Sequence, residues 1–228
     1  MTTLSKDIKS GTKKSHSAAE NTKFVAAFLR GVISRENYRT LIKDLYFVYA
    51  ALEEEMERLK GDTYIDGINF PELSRIEQLK MDVRYYYGPN WRAIIAPSES
   101  AVQYVERVHE IADKDPYLMV AHHYTRYLGD LSGGQILKGI AEKALKLSNG
   151  EGLKFYEFDK IDDKKEYKNK YRAALDSLPL DQGQIDAIIA EANYAFKLNM
   201  DLFDELGGKS RDGWKSFFKV LLGYIKRG

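Results

Sequence analysis

The chain of 228 residues has no cysteine. Disulfides, thiolate metal ligands and a cysteine nucleophile are therefore excluded, and such a chain suits a reducing compartment. Long apolar runs are also missing. No stretch reaches the ~20 apolar residues that a membrane span requires. The N-terminus, MTTLSKDIKSGTKKSH, lacks the apolar core of a signal peptide. Charge of either sign is nearly balanced at +1. No global field points to nucleic acid or to a membrane, so any basic patch must be local. Alternating strand patterns are absent too, with Phe155 to Phe158 the nearest approach.

Helical periodicity fills the space these absences leave. Ser34 reads as an N-cap, and Tyr38, Leu41, Ile42, Leu45, Val48, Tyr49, Leu52, Met56 and Leu59 then recur at three- and four-residue steps until Gly61. Ser74 with Glu77 has the form of a capping box opening a helix that stops at Gly88. Pro97-Ser98 opens another, through Ile111. Asp115-Pro116 starts a helix that runs through Val120 and Tyr124 into a group of glycines and resumes from Ile136 to about Leu147. Asp181 with Gln184 is a second capping box, leading to Leu206 and Gly207. The apolar tail KSFFKVLLGYIKRG reads as a packed or fraying helix. With 44% hydrophobic residues, the length suits one all-α domain of about eight helices spanning residues 1–228.

Within the glycine group lies LSGGQ, Leu131 to Gln135, letters shared with transport ATPases. A nucleotide-binding loop of that kind also needs GxxxxGK[ST] between a strand and a helix. The closest text, Gly207-Gly208-Lys209-Ser210, would need its first glycine at Phe203, so the motif fails. Gly129, Gly133 and Gly134 each cost a helix interior roughly 1 kcal/mol relative to alanine. They clear one face of side chains, which permits a kink for tight packing or close approach of the backbone to something flat. Asp130, the only charge in this break, favours a functional face, because a carboxylate in a bare groove suits packing poorly.

The metal-ligand candidates are four histidines, His16, His109, His122 and His123. Glu106 with His109 is half of a di-iron motif, and the second half does not exist. His122 and His123 share the glycine helix, where a lone histidine is more often structural than a ligand. His16 is followed one turn later by Glu20, close enough to fix the tautomer of a metal-bound imidazole. A flat metallocofactor with carboxylate tails would use one histidine, a bare glycine face opposite it and a few cations.

GTKKSHSAAEN, LYFVYAALEEEMER, YTRYLGDLSGGQILK, FYEFDKIDDKKEYKNKYR and EANYAFKLN together resemble heme oxygenase. The likeness is closest to the soluble form of cyanobacteria, red-algal plastids and their phages, and covers about residues 4–206. The membrane anchor of the mammalian enzymes has no counterpart. The resemblance implies heme b as both substrate and cofactor, sandwiched between a proximal helix and a glycine-kinked distal helix. His16 would be the axial iron ligand and Glu20 its partner. Gly129 and Gly133 would let the distal backbone crowd iron-bound dioxygen and set regioselectivity, usually for the α position, with Gly134 adding flexibility. Asp130 would order a water beside that oxygen, and Tyr49, Arg126 and Asn199 would hold the water network. Lys9, Lys13, Lys168 and Arg172 would meet the propionates beside Tyr124. Phe24, Phe196 and Leu137 would line the walls or serve as ordinary core.

The implied reaction converts heme to biliverdin, carbon monoxide and ferrous iron with dioxygen and external electrons. No flavin or dinucleotide motif appears, so a partner must supply the electrons. The resemblance implies ferredoxin, docking on the basic rim, with a bilin reductase as a possible consumer of the product. It also implies a soluble cytoplasmic monomer. Two rival readings use the same residues: a heme carrier or sensor without turnover, and a helical interaction protein without cofactor.

Overall fold

The computed structural model describes residues 3–207. α1 (Leu4–Gly11) turns at Thr12 into α2 (Lys13–Glu20), and α3 (Lys23–Leu29) follows. α4 (Arg35–Arg58) begins at its expected cap, where Ser34 Oγ accepts the Asn37 N–H at 3.0 Å. The short α5 (Thr63–Gly67) leads to α6 (Ile76–Tyr87), the short α7 (Trp91–Ile94) and α8 (Glu99–Lys114), capped by Ser98. α9 (Met119–His123), a π-helical turn over Tyr124–Leu128 and α10 (Gly129–Ala144) form one continuous run. α11 (Lys164–Asp176) and α12 (Gln182–Gly207) complete the described chain. Asp181 and Gln184 form the expected reciprocal box before α12: Asp181 Oδ1 accepts the Gln184 N–H at 2.8 Å, and Gln184 Oε1 accepts the Asp181 N–H at 3.0 Å.

The fold is all-α, and no strand occurs among the described residues; Lys154–Tyr156 makes a single 3-10 turn. No described helix is long and apolar enough to cross a membrane. The tail KSFFKVLLGYIKRG lies outside the described residues. α4 packs on α6, α8 and α12, burying Leu45, Val48 and Leu52 with Val108 and Leu198. Each such side chain contributes about 1.5–3 kcal/mol when fully buried. α12 also carries α1, α2 and α3, while α3 touches α10. The first three helices and the glycine helix thus flank the same long scaffold.

Two sequence expectations need correction. Ser74 does not cap α6. Its hydroxyl donates to Glu53 of α4, and that carboxylate accepts the Arg75 N–H at 2.5 Å and the Ile76 N–H at 3.1 Å. A buried carboxylate from another helix is a stronger acceptor for exposed helix-end donors than a neighbouring hydroxyl. The helix also is not interrupted between the glycines and Ile136: α10 runs through Gly129, Gly133 and Gly134. The departure from α geometry lies one turn earlier, in the π turn, the kind of insertion that re-aims side chains at functional sites.

Candidate functional site: a cleft between a histidine and a bare helix

A cleft of about 310 Å³ lies between α2, α3, α10 and α12. Its walls are mostly apolar, with Phe24, Phe28, Leu45, Leu137, Phe155 and Phe196 among them. His16 and Glu20 reach it from α2. The His16 side chain is 60% exposed, with Nδ1 3.7 Å from Glu20 Oε1, and its ring meets Phe196 edge-on at 5.7 Å. The carboxylate pairs with Nδ1, which leaves Nε2 for a ligand.

α10 presents Gly129, Asp130 and Gly133 to the same cleft. Apart from its own helix backbone, a β-carbon at Gly129 or Gly133 would meet no heavy atom of the described residues within 4 Å. Neither glycine is required by protein packing, so what their bareness serves lies in the cleft. Gly134 differs, because a β-carbon there would come within 3.3 Å of the Tyr156 ring. Its bareness lets the helix pack closely on that ring. Gln135 donates to the Tyr156 carbonyl at 2.8 Å, so LSGGQ alternates between facing the cleft and gripping the segment beneath it. Gly129→Ala should therefore stabilise the fold by roughly 0.5–1 kcal/mol while filling part of the cleft. Thermal unfolding of the variant beside the wild type checks the gain.

Behind the glycines lies a polar network drawn from three long helices. Tyr49 donates to Asp130 Oδ2, Arg126 Nε donates to Tyr49 Oη at 3.1 Å, and Arg126 Nη1 donates to Asn199 Oδ1. Arg126 Nη2 stands 3.8 Å from Asp130 Oδ1. Burial pushes the Asp130 carboxyl above its ordinary pKa, opposed by Arg126, the Tyr49 hydroxyl and Arg75. Burial works against the Arg126 guanidinium, yet Tyr49, Asp130 and Tyr104 hold its pKa above the ordinary value. A permanent cation thus faces a carboxyl poised nearer to protonation than a surface aspartate.

The other histidines have structural partners. His109 Nδ1 lies 2.6 Å from Glu55, and buried His122 Nε2 lies 2.8 Å from Glu191. His123 is bonded to the Tyr171 hydroxyl at 2.7 Å, and burial lowers its pKa to about 3. The expected basic residues fall outside the cleft lining. Lys9 is exposed on α1 and Lys13 on α2, while half-buried Lys168 and Arg172 lie on α11. α1 and α11 are tied by Asp176, which accepts from the Ser5 N–H and hydroxyl at 2.8 and 2.9 Å. Arg172 lies close enough to half-buried Tyr124 to act on its titration.

Residues that sequence reasoning missed include Arg75, Glu53, Thr125 and Tyr156. Arg75 is 1% exposed and donates to the Leu73 and Phe155 carbonyls at 2.8 and 3.2 Å, with the Phe158 ring 3.8 Å away. It fixes the segment carrying Phe155 and Tyr156 against the cleft. Its partners are backbone oxygens more than 70 residues away as well as near ones, so no local spacing marks it.

An all-α domain that sets an exposed imidazole and a bare, acid-backed helix around an apolar cleft defines a receptor for a flat, metal-centred ligand. A sequence model of the family described as heme oxygenase matches residues 2–205. The chain is 53% identical over 222 residues to a heme oxygenase of Guillardia theta, covering 97% of this chain and 92% of that one. It is 52% identical over 205 residues to heme oxygenase 1 of Synechocystis, covering 90% and 85%. The crystal structure of Synechocystis heme oxygenase-1 in complex with heme superposes with a TM-score of 0.89 at 48% identity, over 98% of this chain and all of that one. This chain belongs to the heme oxygenase family, whose members are enzymes that degrade heme.

The residues present fit that ligand. The macrocycle needs apolar walls, which the cleft has, and its iron needs an imidazole, which His16 presents to the cleft. A close distal backbone needs two positions without side chains, and Gly129 and Gly133 meet open space there.

Proposed function

We propose that the cleft binds heme b through His16 and that the enzyme cleaves it to biliverdin, at the α position, with release of carbon monoxide and ferrous iron. The observation that carries this reading is the Tyr49, Asp130, Arg126 and Asn199 network facing the cleft that His16 also lines. Bound heme supplies the iron that activates dioxygen and the porphyrin carbon that is oxidised. Glu20 orients the His16 imidazole and stabilises its Nδ1–H. Gly129 and Gly133 exclude side chains from the distal face and restrict the space above the ring. Asp130 holds a water there and moves a proton through it. Tyr49 donates to one Asp130 oxygen, while Arg126 approaches the other and keeps the site near neutrality. Asn199 fixes the guanidinium. Phe196 supports the imidazole edge.

Lys9, Lys13, Lys168, Arg172 and Tyr124 form a rim for the propionates. The packing of α1 on α11 and the nearness of Tyr124 to Arg172 support this grouping. Electrons come from reduced ferredoxin, an acidic protein steered to that rim. The enzyme is read as a soluble, cytoplasmic, single-domain monomer that passes its product to a bilin reductase.

Reconstitution with hemin, followed by ferredoxin, its reductase and NADPH, provides the test. The Soret band should disappear as a biliverdin band rises and carbon monoxide is released. A complex that is demonstrably reduced yet never degrades would replace the enzyme with a heme carrier. Raising salt, or reversing charge at Lys9 and Lys13, should slow ferredoxin-driven turnover about tenfold. A rate indifferent to both would remove the rim from electron delivery.

A further inference from the structure

The residue before the proposed ligand is anchored unusually well. α2 is only eight residues long, and Ser15 and Ala19 are its buried members. Ser15 Oγ donates to Asn193 Oδ1 on α12 at 2.5 Å. The same amide donates from Nδ2 to the Gly11 carbonyl at 3.2 Å and to the Ile189 carbonyl of its own helix at 2.8 Å. Two carbonyl acceptors require the amide nitrogen on that side, so the orientation of the Asn193 side chain is fixed by chemistry. One amide therefore grips both sides of the α1–α2 junction.

The surrounding packing points the same way. Ile189, Asn193 and Phe196 follow at steps of four and three, one stripe along α12. A β-carbon at Gly11 would come within 2.5 Å of Ile189 Cγ2, so glycine is what lets the junction settle on that stripe. At its other end Phe196 meets the His16 ring edge-on. Among the described residues His16 has only Glu20, 3.7 Å away, as a polar partner, and both side chains are more than half exposed. Its own contacts cannot fix its height or direction in the cleft. The backbone beneath it can, and Asn193 sets that backbone.

We propose that Asn193, with Ser15, is a positioning pair for the iron ligand, holding α2 on α12 so that His16 meets the metal at one distance and angle. This rests on the reading of His16 as the ligand. Loss of either member lets α2 shift and weakens the bond from imidazole to iron without removing the imidazole.

The test uses the full-length protein with hemin, wild type beside Asn193→Ala, Ser15→Ala, Ser15→Thr and His16→Ala. Helix content by circular dichroism controls for folding. The readouts are hemin affinity and the iron–histidine stretching band of the ferrous complex by resonance Raman. Asn193→Ala should raise the hemin dissociation constant about tenfold, the scale of lost partly buried hydrogen bonds, and move the stretching band to lower frequency. Ser15→Ala should change both in the same direction and less, and Ser15→Thr, which keeps the hydroxyl, should restore them. If Asn193→Ala fails to fold, the Ser15 pair decides alone. Wild-type affinity and an unmoved band in Ser15→Ala and Asn193→Ala overturn the pair while leaving His16 as ligand. An unmoved band in His16→Ala overturns the ligand reading itself, and the pair with it.

Discussion

Replacing Asp130 with asparagine should lower the single-turnover rate of biliverdin formation by about 100-fold or more, the range for loss of a positioned proton-transfer group, while hemin still binds with near wild-type affinity. The geometry separates the two effects. Asp130 belongs to the distal network and has no part in the proximal contact. Asparagine keeps the shape and still accepts from Tyr49, but it loses the charge that faces Arg126 at 3.8 Å. It also cannot exchange a proton with a held water. Alanine is the harsher variant, leaving the Tyr49 hydroxyl without its acceptor and a buried guanidinium without its nearest anion. Stopped-flow absorbance of the hemin complex, mixed with reductant and dioxygen, measures the rate. Biliverdin appearing at the wild-type rate in Asp130→Asn would remove Asp130 from the proton path.

His16→Ala should act at the earlier stage. Hemin affinity should fall about 100-fold, equivalent to about 2.8 kcal/mol, and turnover should be lost with it. The side chain is 60% exposed and holds no part of the core, so unfolding by denaturant should change little. The vacated space beside Phe196 and Glu20 can admit free imidazole, which should restore the optical spectrum and part of the rate. Rescue by imidazole, with no rescue of Asp130→Asn by the same treatment, would separate ligation from proton transfer in one experiment. Unchanged hemin affinity in His16→Ala would sink the assignment.

The parts of this molecule that were legible in the sequence are those whose cause is local. Ser34, and Asp181 with Gln184, cap helices through residues three positions away, and they do so in the structure. The apolar steps from Tyr38 to Leu52 became the buried face of α4, while Met56 and Leu59 are partly buried against the core. Ser74 and Glu77 have the same local form and failed, because the acceptor that won belongs to α4. The π turn was illegible, since the residues of Tyr124–Leu128 read as ordinary helix and the extra residue shows only in the hydrogen bonding. His16 with Glu20 and the glycine group could be singled out from spacing. Tyr49, Arg126 and Asn199 could not, because they come from three helices and meet only on folding. They were reached through the family resemblance.

Glu53 sits on α4, accepts the first N–H groups of α6 and also receives the Tyr127 hydroxyl, from the π turn, at 3.3 Å. The consequence concerns the order and depth of folding. α6 has no cap of its own, so its first turn closes only after α4 has docked, and the π turn joins the same carboxylate as the third party. The turn bearing Arg126 and leading into Asp130 is then part of the core's cooperative unit rather than a loop that opens independently. Amide hydrogens across it should exchange as slowly as those of α4. Reorganisation of that turn then draws on opening of the core rather than on a local fluctuation.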